Sequence, residues 1–484
     1  MTQQLDVAKL MDDARLGRSQ LLTLGLCFLA MAVDGFDMLI LPNTAPLVLH
    51  ALHIEPARFG MLISISLLGM VLSGFGGGLL ADKLGRRILI LSGLTLFGCM
   101  TIAKAYATTY NSLFVLQALT GIGIGAVFTN VLALSAEYAP ARNRRFLVTC
   151  VSSAYPLGGV LASYAAASLG PSLGWAPIFM LGGAAALILA GLCLAFLPPS
   201  VRQLVLRGKP AADVDRIMVK IAPIPVGDVR WVSSEEKIPK APFRNVFSGG
   251  RAAMTFILAI AVGATLMSNY FVIGWSPLLF NMAGMSPSRS AMVGSMFPMG
   301  SMIGAWIWGR LLDHFSPPAV LCFASLLGAV CYGLIGHTLF SFPLLMATVI
   351  VGGLGMGVQS GYNGFITSLY PTSVRGTALG LIIGTGRLAA IFGPLLGGIL
   401  VAAKWNINHL YFVPAGLLAV GSLCMIVIHM VPSSRISIAA IRRSPPLFMK
   451  HDDEFVVEIE QVGSLRNTVM DEGERAAPAR ERRN

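Results

Sequence analysis

The chain has 484 residues and a formal charge of +12, because 35 Lys and Arg stand against 23 Asp and Glu, yet only 12% of its residues are charged and 55% are hydrophobic. A soluble globular protein carries about 25% charged residues. This composition excludes an ordinary soluble domain, disfavours disorder and nucleic-acid binding, and indicates a chain whose surroundings are mostly lipid.

Long intervals without a charged residue predict membrane-spanning helices. The intervals Arg58–Asp82, Arg145–Arg202 and Asp313–Arg375 contain no Asp, Glu, Lys or Arg between their ends, and one span needs about 20 such residues. With Gly, Pro and polar breaks as dividers, the sequence predicts an all-α membrane protein of twelve helices. They lie at about 20–43, 57–80, 87–107, 111–138, 145–168, 174–197, 252–281, 288–312, 317–337, 341–369, 375–402 and 406–431.

Lys and Arg in the short loops predict the orientation. One set of alternate loops holds eight of them: Lys83, Arg86, Arg87, Arg142, Arg144, Arg145, Arg310 and Arg375. The opposite set holds four: Arg58, Lys104, Arg289 and Lys404. Both termini are therefore expected in the cytoplasm. The first apolar stretch continues to Leu41 and is expected to be a span rather than a cleaved signal.

An internal repeat divides the chain into two halves. Gly78–Asp82 recurs as Gly309–Asp313, and the glycines of Gly121–Gly125 recur in Gly353–Gly357, at offsets of 231 and 232 residues. Two parallel repeats of six spans are the plan of secondary transporters that rock two halves about a central site. The predicted parts are a cytoplasmic segment 1–19, a first half 20–197, a cytoplasmic loop 198–250, a second half 251–431 and a cytoplasmic tail 432–484 that is expected to be mostly disordered.

Several segments resemble a known family. Gly78–Arg87 (GLLADKLGRR) is similar to the loop signature of the major facilitator superfamily, and Asp34–Asp37 (DGFD) resembles the D-G-x-D signature of the aromatic acid:proton symporters. Glu137–Arg142 (EYAPAR), Gly384–Arg387 (GTGR) and Gly393–Gly398 (GPLLGG) agree with that family. The resemblance implies the major facilitator fold and the import of benzoate-like acids by bacteria.

Asp34 and Asp37 are the predicted proton-coupling residues. They stand three apart on one face of the first helix, deep in an apolar span where an ionised carboxylate is costly. Burial and mutual repulsion both favour the protonated form of at least one of them. The alternative is that Gly35 breaks the helix and the two acids only cap its ends.

Arg387 is the predicted ligand of a substrate carboxylate. It is the one basic residue deep in the membrane region of the second half, so it must meet an acid or an anionic ligand. Its planar fork can hold a carboxylate through two parallel hydrogen bonds. The alternative is a permanent ion pair with Asp34 or Asp37.

Other polar and aromatic residues could complete a cavity, since the resemblance implies that helices 1, 4, 7 and 10 line the central path. The polar candidates are Asn43, Asn130, Asn269, Tyr270, Gln359 and Asn363. The aromatic candidates are Phe36, Tyr155, Phe271 and Phe297. The alternatives are interhelical hydrogen bonds for the amides and plain packing for the rings.

Charged residues at the cytoplasmic loops are predicted to form a gate that holds one access state closed. They are Asp82, Arg86, Arg87, Glu137, Arg142 and Asp313. The alternative is that the basic residues only set the topology.

Several other signals are rejected. The glycines of Gly121–Gly125 resemble a dinucleotide fingerprint, but they lie in an apolar span without a preceding strand, so close helix packing explains them. His50 and His53 have crude metal-ligand spacing in an outer loop and are expected to be solvated. The seven cysteines form no C-x-x-C pair, and the sequence contains no phosphate-binding loop, so no metal and no cofactor are expected.

The sequence therefore predicts a proton-coupled importer of a small aromatic or related carboxylic acid, not an enzyme, in the cell inner membrane. Its expected partners are the carboxylate substrate, protons and membrane lipids, with no nucleic acid, and it is expected to act as a monomer. A carrier of sugars or dicarboxylates and a drug-efflux antiporter remain alternatives, and a membrane sensor is a more distant one.

Overall fold

The computed structural model describes residues 3–221, 229–232, 246–247, 251–370, 372–430, 454–459 and 463–468. The elements of the first half and the central loop are β1 (Gln3–Asp6), α1 (Val7–Asp13), α2 (Arg18–Ala51), α3 (Pro56–Leu84), α4 (Arg86–Lys104), α5 (Tyr110–Tyr138), α6 (Arg144–Leu173), α7 (Ala176–Phe196), α8 (Val201–Leu206), α9 (Ala211–Met218) and β2 (Val229–Val232). Those that follow are α10 (Ala252–Met282), α11 (Pro287–Gly294), α12 (Met296–His314), α13 (Pro317–Thr338), α14 (Phe342–Met356), α15 (Val358–Leu369), α16 (Thr372–Ala402), α17 (Ile407–Leu410), α18 (Phe412–Met430), β3 (Glu454–Ile459) and β4 (Gly463–Thr468).

The predicted spans are present. Among the described residues, eleven helices are long and apolar enough to cross a membrane. The remaining prediction, at 288–312, corresponds to α11 and α12, which are separated at Ser295. The tenth predicted helix is likewise interrupted at Gly357, where an added Cβ would lie 2.5 Å from the backbone nitrogen of Ala305 on α12.

The two halves repeat one packing pattern, which confirms the predicted repeat. In the first half α2 packs on α6, α3 on α5, and α4 on α7. In the second half the equivalent partners are α10 with α16, α12 with α14, and α13 with α18. The membrane face at which α2 begins is called the N face here, and the opposite one the far face.

Glycines bring the paired helices into backbone contact. A Cβ on Gly121 would lie 2.1 Å from the carbonyl oxygen of Ser66, and one on Gly125 would lie 2.4 Å from that of Met70. In the second half a Cβ on Gly353 would lie 2.6 Å from a carbonyl oxygen of α12. The interpretation of these glycines as packing residues is therefore confirmed, because nothing larger fits there.

The two halves contact each other near the far face. Ser64 on α3 donates a hydrogen bond to the carbonyl of Ile391 on α16, at 2.7 Å. Phe59 meets the Trp275 ring edge-on at 5.7 Å, and the Trp275 indole donates to the carbonyl of Pro394 at 2.9 Å. These contacts leave the space between α3 and α16 open on the N-face side.

The N face carries a small layer built from the N-terminal segment and the central loop. β1 pairs in parallel with β2, and Asp12 on α1 forms an ion pair with Arg144 at the start of α6. From α8 and its C-cap, Gln203 and Arg207 each donate to the carbonyl of Ala81 at 3.1 Å. Gln203 also accepts a hydrogen bond from the backbone N–H of Arg86 at the start of α4, at 3.1 Å. This layer therefore fastens the ends of three membrane helices, namely α3, α4 and α6.

The tail forms a separate unit from residue 432 onwards. Within it β3 and β4 pair as an antiparallel hairpin. The other tail residues lie outside the described ones, so their predicted disorder stays a prediction.

Candidate functional site

Asp34 and Asp37 lie one turn apart in the middle of α2, and both are buried. The helix continues through Gly35, so the alternative in which the two acids cap broken helix ends is wrong. Gly35 instead permits close packing, because a Cβ there would lie 1.9 Å from the carbonyl oxygen of Tyr155 on α6. Both oxygens of Asp34 are fully enclosed without a hydrogen-bond partner among the described residues.

Asp37 has a different environment. Its Oδ1 accepts a hydrogen bond from the hydroxyl of Thr101, and its Oδ2 lies 3.7 Å from Nζ of Lys104. The Lys104 ammonium also donates to Oε1 of Gln117 at 3.0 Å and lies 5.4 Å from the centroid of the Phe179 ring. Asp37 is thus held in a buried polar cluster between α2, α4 and α5.

The assignment of Lys104 to a far-side loop is wrong. Its side chain has no exposed surface, because α4 packs against α5 and α7 and the lysine side chain extends to Asp37 on α2. The loop charges that indicate the orientation become eight against three, so the predicted orientation is unaffected.

Arg387 lies near the middle of α16, half-buried at the edge of a cavity of about 470 Å³ between the halves. Val71 and Gly74 of α3 form one wall, and Asn363 of α15 with the N-face half of α16 forms the other. The guanidinium lies 5.4 Å from the centroid of the Phe128 ring on α5. A volume of this size is typical of small-molecule sites.

No ion pair joins Arg387 to a carboxylate among the residues that the structure describes. In this state the alternative of a permanent pair with Asp34 or Asp37 is therefore wrong. A guanidinium at membrane depth without an acid partner is suited to an anionic ligand.

Two tyrosines are close to both Asp34 and Arg387. They are Tyr155 on α6 and Tyr270 on α10, and each is within electrostatic range of the other, of Asp34 and of Arg387. Each half therefore contributes one tyrosine near the acid on α2 and the base on α16.

The other polar candidates are divided between the cavity and the helix interior. Asn363 lines the cavity with Arg387. Asn130 donates to the carbonyl of Ala126 on its own helix, and Asn43 donates likewise to that of Leu39. The side-chain oxygens of Asn43, Asn269 and Gln359 are buried without a hydrogen-bond partner among the described residues.

The aromatic candidates are similarly divided. Tyr155 lies at the site, and its ring meets Phe128 edge-on at 5.7 Å. Phe36 packs where Gly182 leaves space, while Phe271 and Phe297 are buried in the second half. Packing therefore accounts for these last three rings.

A larger cavity, of about 760 Å³, lies at the far-face end of the second half. Its walls come from the second half alone, and it includes neither of the buried aspartates nor Arg387. The smaller cavity is the better candidate site because it lies between the halves.

Comparison with known proteins identifies the family. A model described as Major Facilitator Superfamily matches residues 26–382 and 258–451. The chain belongs to the major facilitator superfamily. It is 33% identical over 86% of its length to the 4-hydroxybenzoate transporter PcaK of Acinetobacter baylyi, covering 93% of that protein.

Further relatives and solved structures of the superfamily agree. The chain is 32% identical to a gallate transporter of Pseudomonas putida, over 84% of this chain and 91% of that one. It is 31% identical to a benzoate transport protein of A. baylyi, over 85% of this chain and 89% of that protein. The solved structure of a D-xylose-proton symporter superposes on this fold with a TM-score of 0.65. The match covers 84% of this chain and 97% of the symporter chain, at 17% sequence identity. These findings confirm the predicted fold and that the protein is a multi-pass membrane transporter rather than an enzyme.

Three of the six predicted gate residues make contacts within the first half. Arg86 on α4 pairs with Glu137 at the end of α5, and Arg87 donates to the carbonyl of Leu194 on α7 at 2.6 Å. Arg142 and Asp313 are exposed. The side chain of Asp82 lies outside the described residues, so its role as a latch stays a prediction.

Four residues of the candidate site are not predicted by the sequence: Lys104, Thr101, Gln117 and Phe128. A signal for Lys104 exists, because a lysine inside the predicted helix 87–107 needs a counter-ion as much as Arg387 does. Thr101 precedes it by three residues and so shares its face. Phe128 carries no such signal, since one ring in an apolar helix is ordinary.

Proposed function

We propose that this protein imports a small aromatic carboxylic acid together with protons, by alternating access between its two halves. The observation that carries the proposal is Arg387, a guanidinium at a cavity between the halves without a carboxylate partner among the described residues. The names of the relatives, which are transporters of 4-hydroxybenzoate, gallate and benzoate, support the aromatic class.

The cavity offers complementary groups to such an acid. The fork of Arg387 can bind a carboxylate with two charge-assisted hydrogen bonds. Asn363 adds an amide from the neighbouring helix α15, and Val71, Leu379 and Ile383 add apolar surface. The ring of Phe128 lies beside the guanidinium, outside the cavity lining. An aromatic acid would thus direct its charge to Arg387 and its ring to the apolar side chains of the cavity.

The aspartates of α2 supply the proton coupling in this proposal. A buried carboxyl without a partner, such as Asp34, is stable in the neutral form and costly in the ionised form. After the proton leaves, its negative charge would favour Arg387 as a partner and so compete with the substrate carboxylate. Tyr155 and Tyr270 are each within electrostatic range of both groups and can transmit this competition.

We place the N face in the cytoplasm of a cell with the protein in its inner membrane. The excess of Lys and Arg in the N-face loops supports this orientation. Both termini are then cytoplasmic, and the contacts near the far face close the outer side while the cavity lies on the inner side. One chain contains both halves of the site, so we expect a monomer surrounded by lipid to transport.

Reconstituted vesicles test the proposal. Labelled 4-hydroxybenzoate, benzoate and gallate should accumulate against a gradient when the outside is more acidic, and a protonophore should abolish accumulation. Three compounds serve as controls. Benzamide keeps the ring but lacks the charge, xylose lacks both the aromatic ring and the charge, and succinate has a second carboxylate in place of the ring. Accumulation of xylose or succinate but not of the aromatic acids would contradict the proposed substrate class, and proton-driven export of cationic drugs would favour an efflux antiporter.

A further inference from the structure

The two aspartates of α2 are not equivalent. Oδ1 of Asp37 accepts a hydrogen bond from Thr101, and Oδ2 faces the ammonium of Lys104 at 3.7 Å. Asp34, one turn closer to the N face, has both oxygens enclosed and without a hydrogen-bond partner among the described residues. One carboxyl thus has a buried cation, and the other does not.

Lys104 is built into the protein interior. Thr101 and Lys104 stand three apart on α4, and their side chains meet the same carboxylate from one face. Gln117 on α5 accepts a further hydrogen bond from the ammonium at 3.0 Å. A buried ammonium needs a negative partner at this depth, and the only carboxylate within 4 Å among the described residues is Asp37.

The groups that face each acid come from different helices. Asp37 faces Thr101 and Lys104 of α4, with neutral Gln117 of α5 and the ring of Phe179 of α7 beyond the ammonium. Asp34 is in electrostatic range of Asp37 on its own helix. Among the described residues, Tyr155 of α6 and Tyr270 of α10 are also in electrostatic range of Asp34. Both tyrosines are in turn in electrostatic range of Arg387 of α16.

We propose that Lys104 is a positioning residue that keeps Asp37 permanently ionised as its partner, so that Asp34 alone carries the coupled proton. The inference rests on the proposed proton symport and deepens it. The ion pair of Asp37 and Lys104 then fixes α2 against α4. Asp34, which borders the tyrosine pair, gains and loses the proton during the cycle.

The Asp34→Asn variant tests the proton carrier. Asparagine imitates the size of the protonated carboxyl, and Asp34 has no partner to lose, so the variant should fold. We expect it to exchange labelled for unlabelled acid within about threefold of the parent, while proton-driven accumulation falls at least tenfold. In lightly buffered detergent solution, 4-hydroxybenzoate binding should no longer take up a proton. Proton uptake or accumulation that persists in Asp34→Asn would overturn the proposal.

A double variant tests the positioning role. Asp37→Asn and Lys104→Met should each lower thermal stability and reduce uptake at least tenfold, because each leaves one buried charge unpaired. Asp37→Asn/Lys104→Met removes both charges, which buried pairs often tolerate. We expect it to regain most of the thermal stability and accumulation within about threefold of the parent. A folded double variant that exchanges but does not accumulate would show that Asp37 carries a proton.

A charge swap covers the case in which the neutral pair does not fold. Asp37→Lys/Lys104→Asp keeps the ion pair and should be more stable than either single neutral variant. A swap less stable than both would overturn the positioning role. A parent protein that accumulates none of the aromatic acids would contradict the proposed function instead. The stability comparisons would still judge the ion pair, because they need no substrate.

Discussion

Gly35 of α2 lies directly against the backbone carbonyl of Tyr155 on α6, so that a Cβ on this glycine would stand 1.9 Å from the oxygen. The reciprocal contact is equally close, since a Cβ on Gly158 would stand 1.8 Å from the carbonyl oxygen of Ala32. Two glycines therefore set the spacing of α2 and α6 beside Asp34. Gly35, the glycine of the DGFD segment, thus has a steric role.

Gly35→Ala should destabilise the protein and abolish transport. The methyl group would overlap backbone that cannot rotate away, and forcing extra atoms into packed interiors typically costs about 1–3 kcal/mol or more. Gly25→Ala is the matched control on the same helix, because nothing lies within 4 Å of a Cβ there. Thermal denaturation in detergent and vesicle uptake check both. Equal melting temperatures and uptake in the two variants would contradict the steric role.

Arg387→Ala should weaken the binding of aromatic carboxylates by about 2–5 kcal/mol, the usual loss when one partner of a buried charge pair is truncated. Arg387→Lys should bind with an intermediate affinity, because it keeps the charge and loses the planar fork. Benzamide should bind the parent poorly and lose little further in Arg387→Ala, since it never forms the ion pair. Calorimetry on folded protein measures both ligands.

The control for the Arg387 variants is Arg58→Ala, which removes an exposed far-face arginine and should leave binding unchanged. A residue that acted only on the structure would behave differently, because its loss would weaken the acid and the amide alike. Equal losses for the two ligands would refute a carboxylate-binding role for Arg387.

Gly60→Ala should shift the protein away from the state seen here. A Cβ on Gly60 would lie 2.3 Å from the carbonyl oxygen of Pro394 in the other half, so the methyl group opposes closure at the far face without disturbing either half. Gly76→Ala, on the same helix with nothing within 4 Å, is the control. Spin-label distances across the far face should lengthen in Gly60→Ala only, and unchanged distances would argue against the contact as a closure point.

Asp82→Asn should slow transport while leaving equilibrium substrate binding within about threefold, because a latch shifts the balance of two access states without touching the ligand. Glu55→Gln at the other end of α3 is the control, since its exposed pair with Arg58 contributes little. Initial uptake rates and calorimetry on the same preparations separate rate from affinity. A large loss of affinity in folded Asp82→Asn would contradict the latch.

The number and order of the membrane helices follow from the sequence because charge is costly in lipid and therefore marks the loops. The same physics singles out Arg387 as a candidate ligand of the substrate, and the structure places it at a cavity between the halves. Helix interruptions such as that at Gly357 were missed, because they depend on the neighbouring helix and not on local composition.

The different surroundings of Asp34 and Asp37 could not be predicted. Both acids have the same local sequence context, and Lys104 stands 67 residues after Asp37 at a position that resembles a loop charge. Only the tertiary fold brings the side chain of that lysine to one acid and, among the described residues, leaves the other without a cation. Long-range contacts of this kind carry no periodic signal in the chain.

If Lys104 holds Asp37 in its charged form, as proposed, a single carboxyl exchanges its proton, and the import of a monocarboxylate moves no net charge. Each pH unit across the membrane then supports about tenfold accumulation, or about 1.36 kcal/mol. The membrane potential, which offers an electrogenic carrier about 2.3 kcal/mol per charge per 100 mV, adds nothing. Uptake by this protein would therefore continue in a cell whose membrane potential has collapsed, as long as its cytoplasm stays more alkaline than the medium.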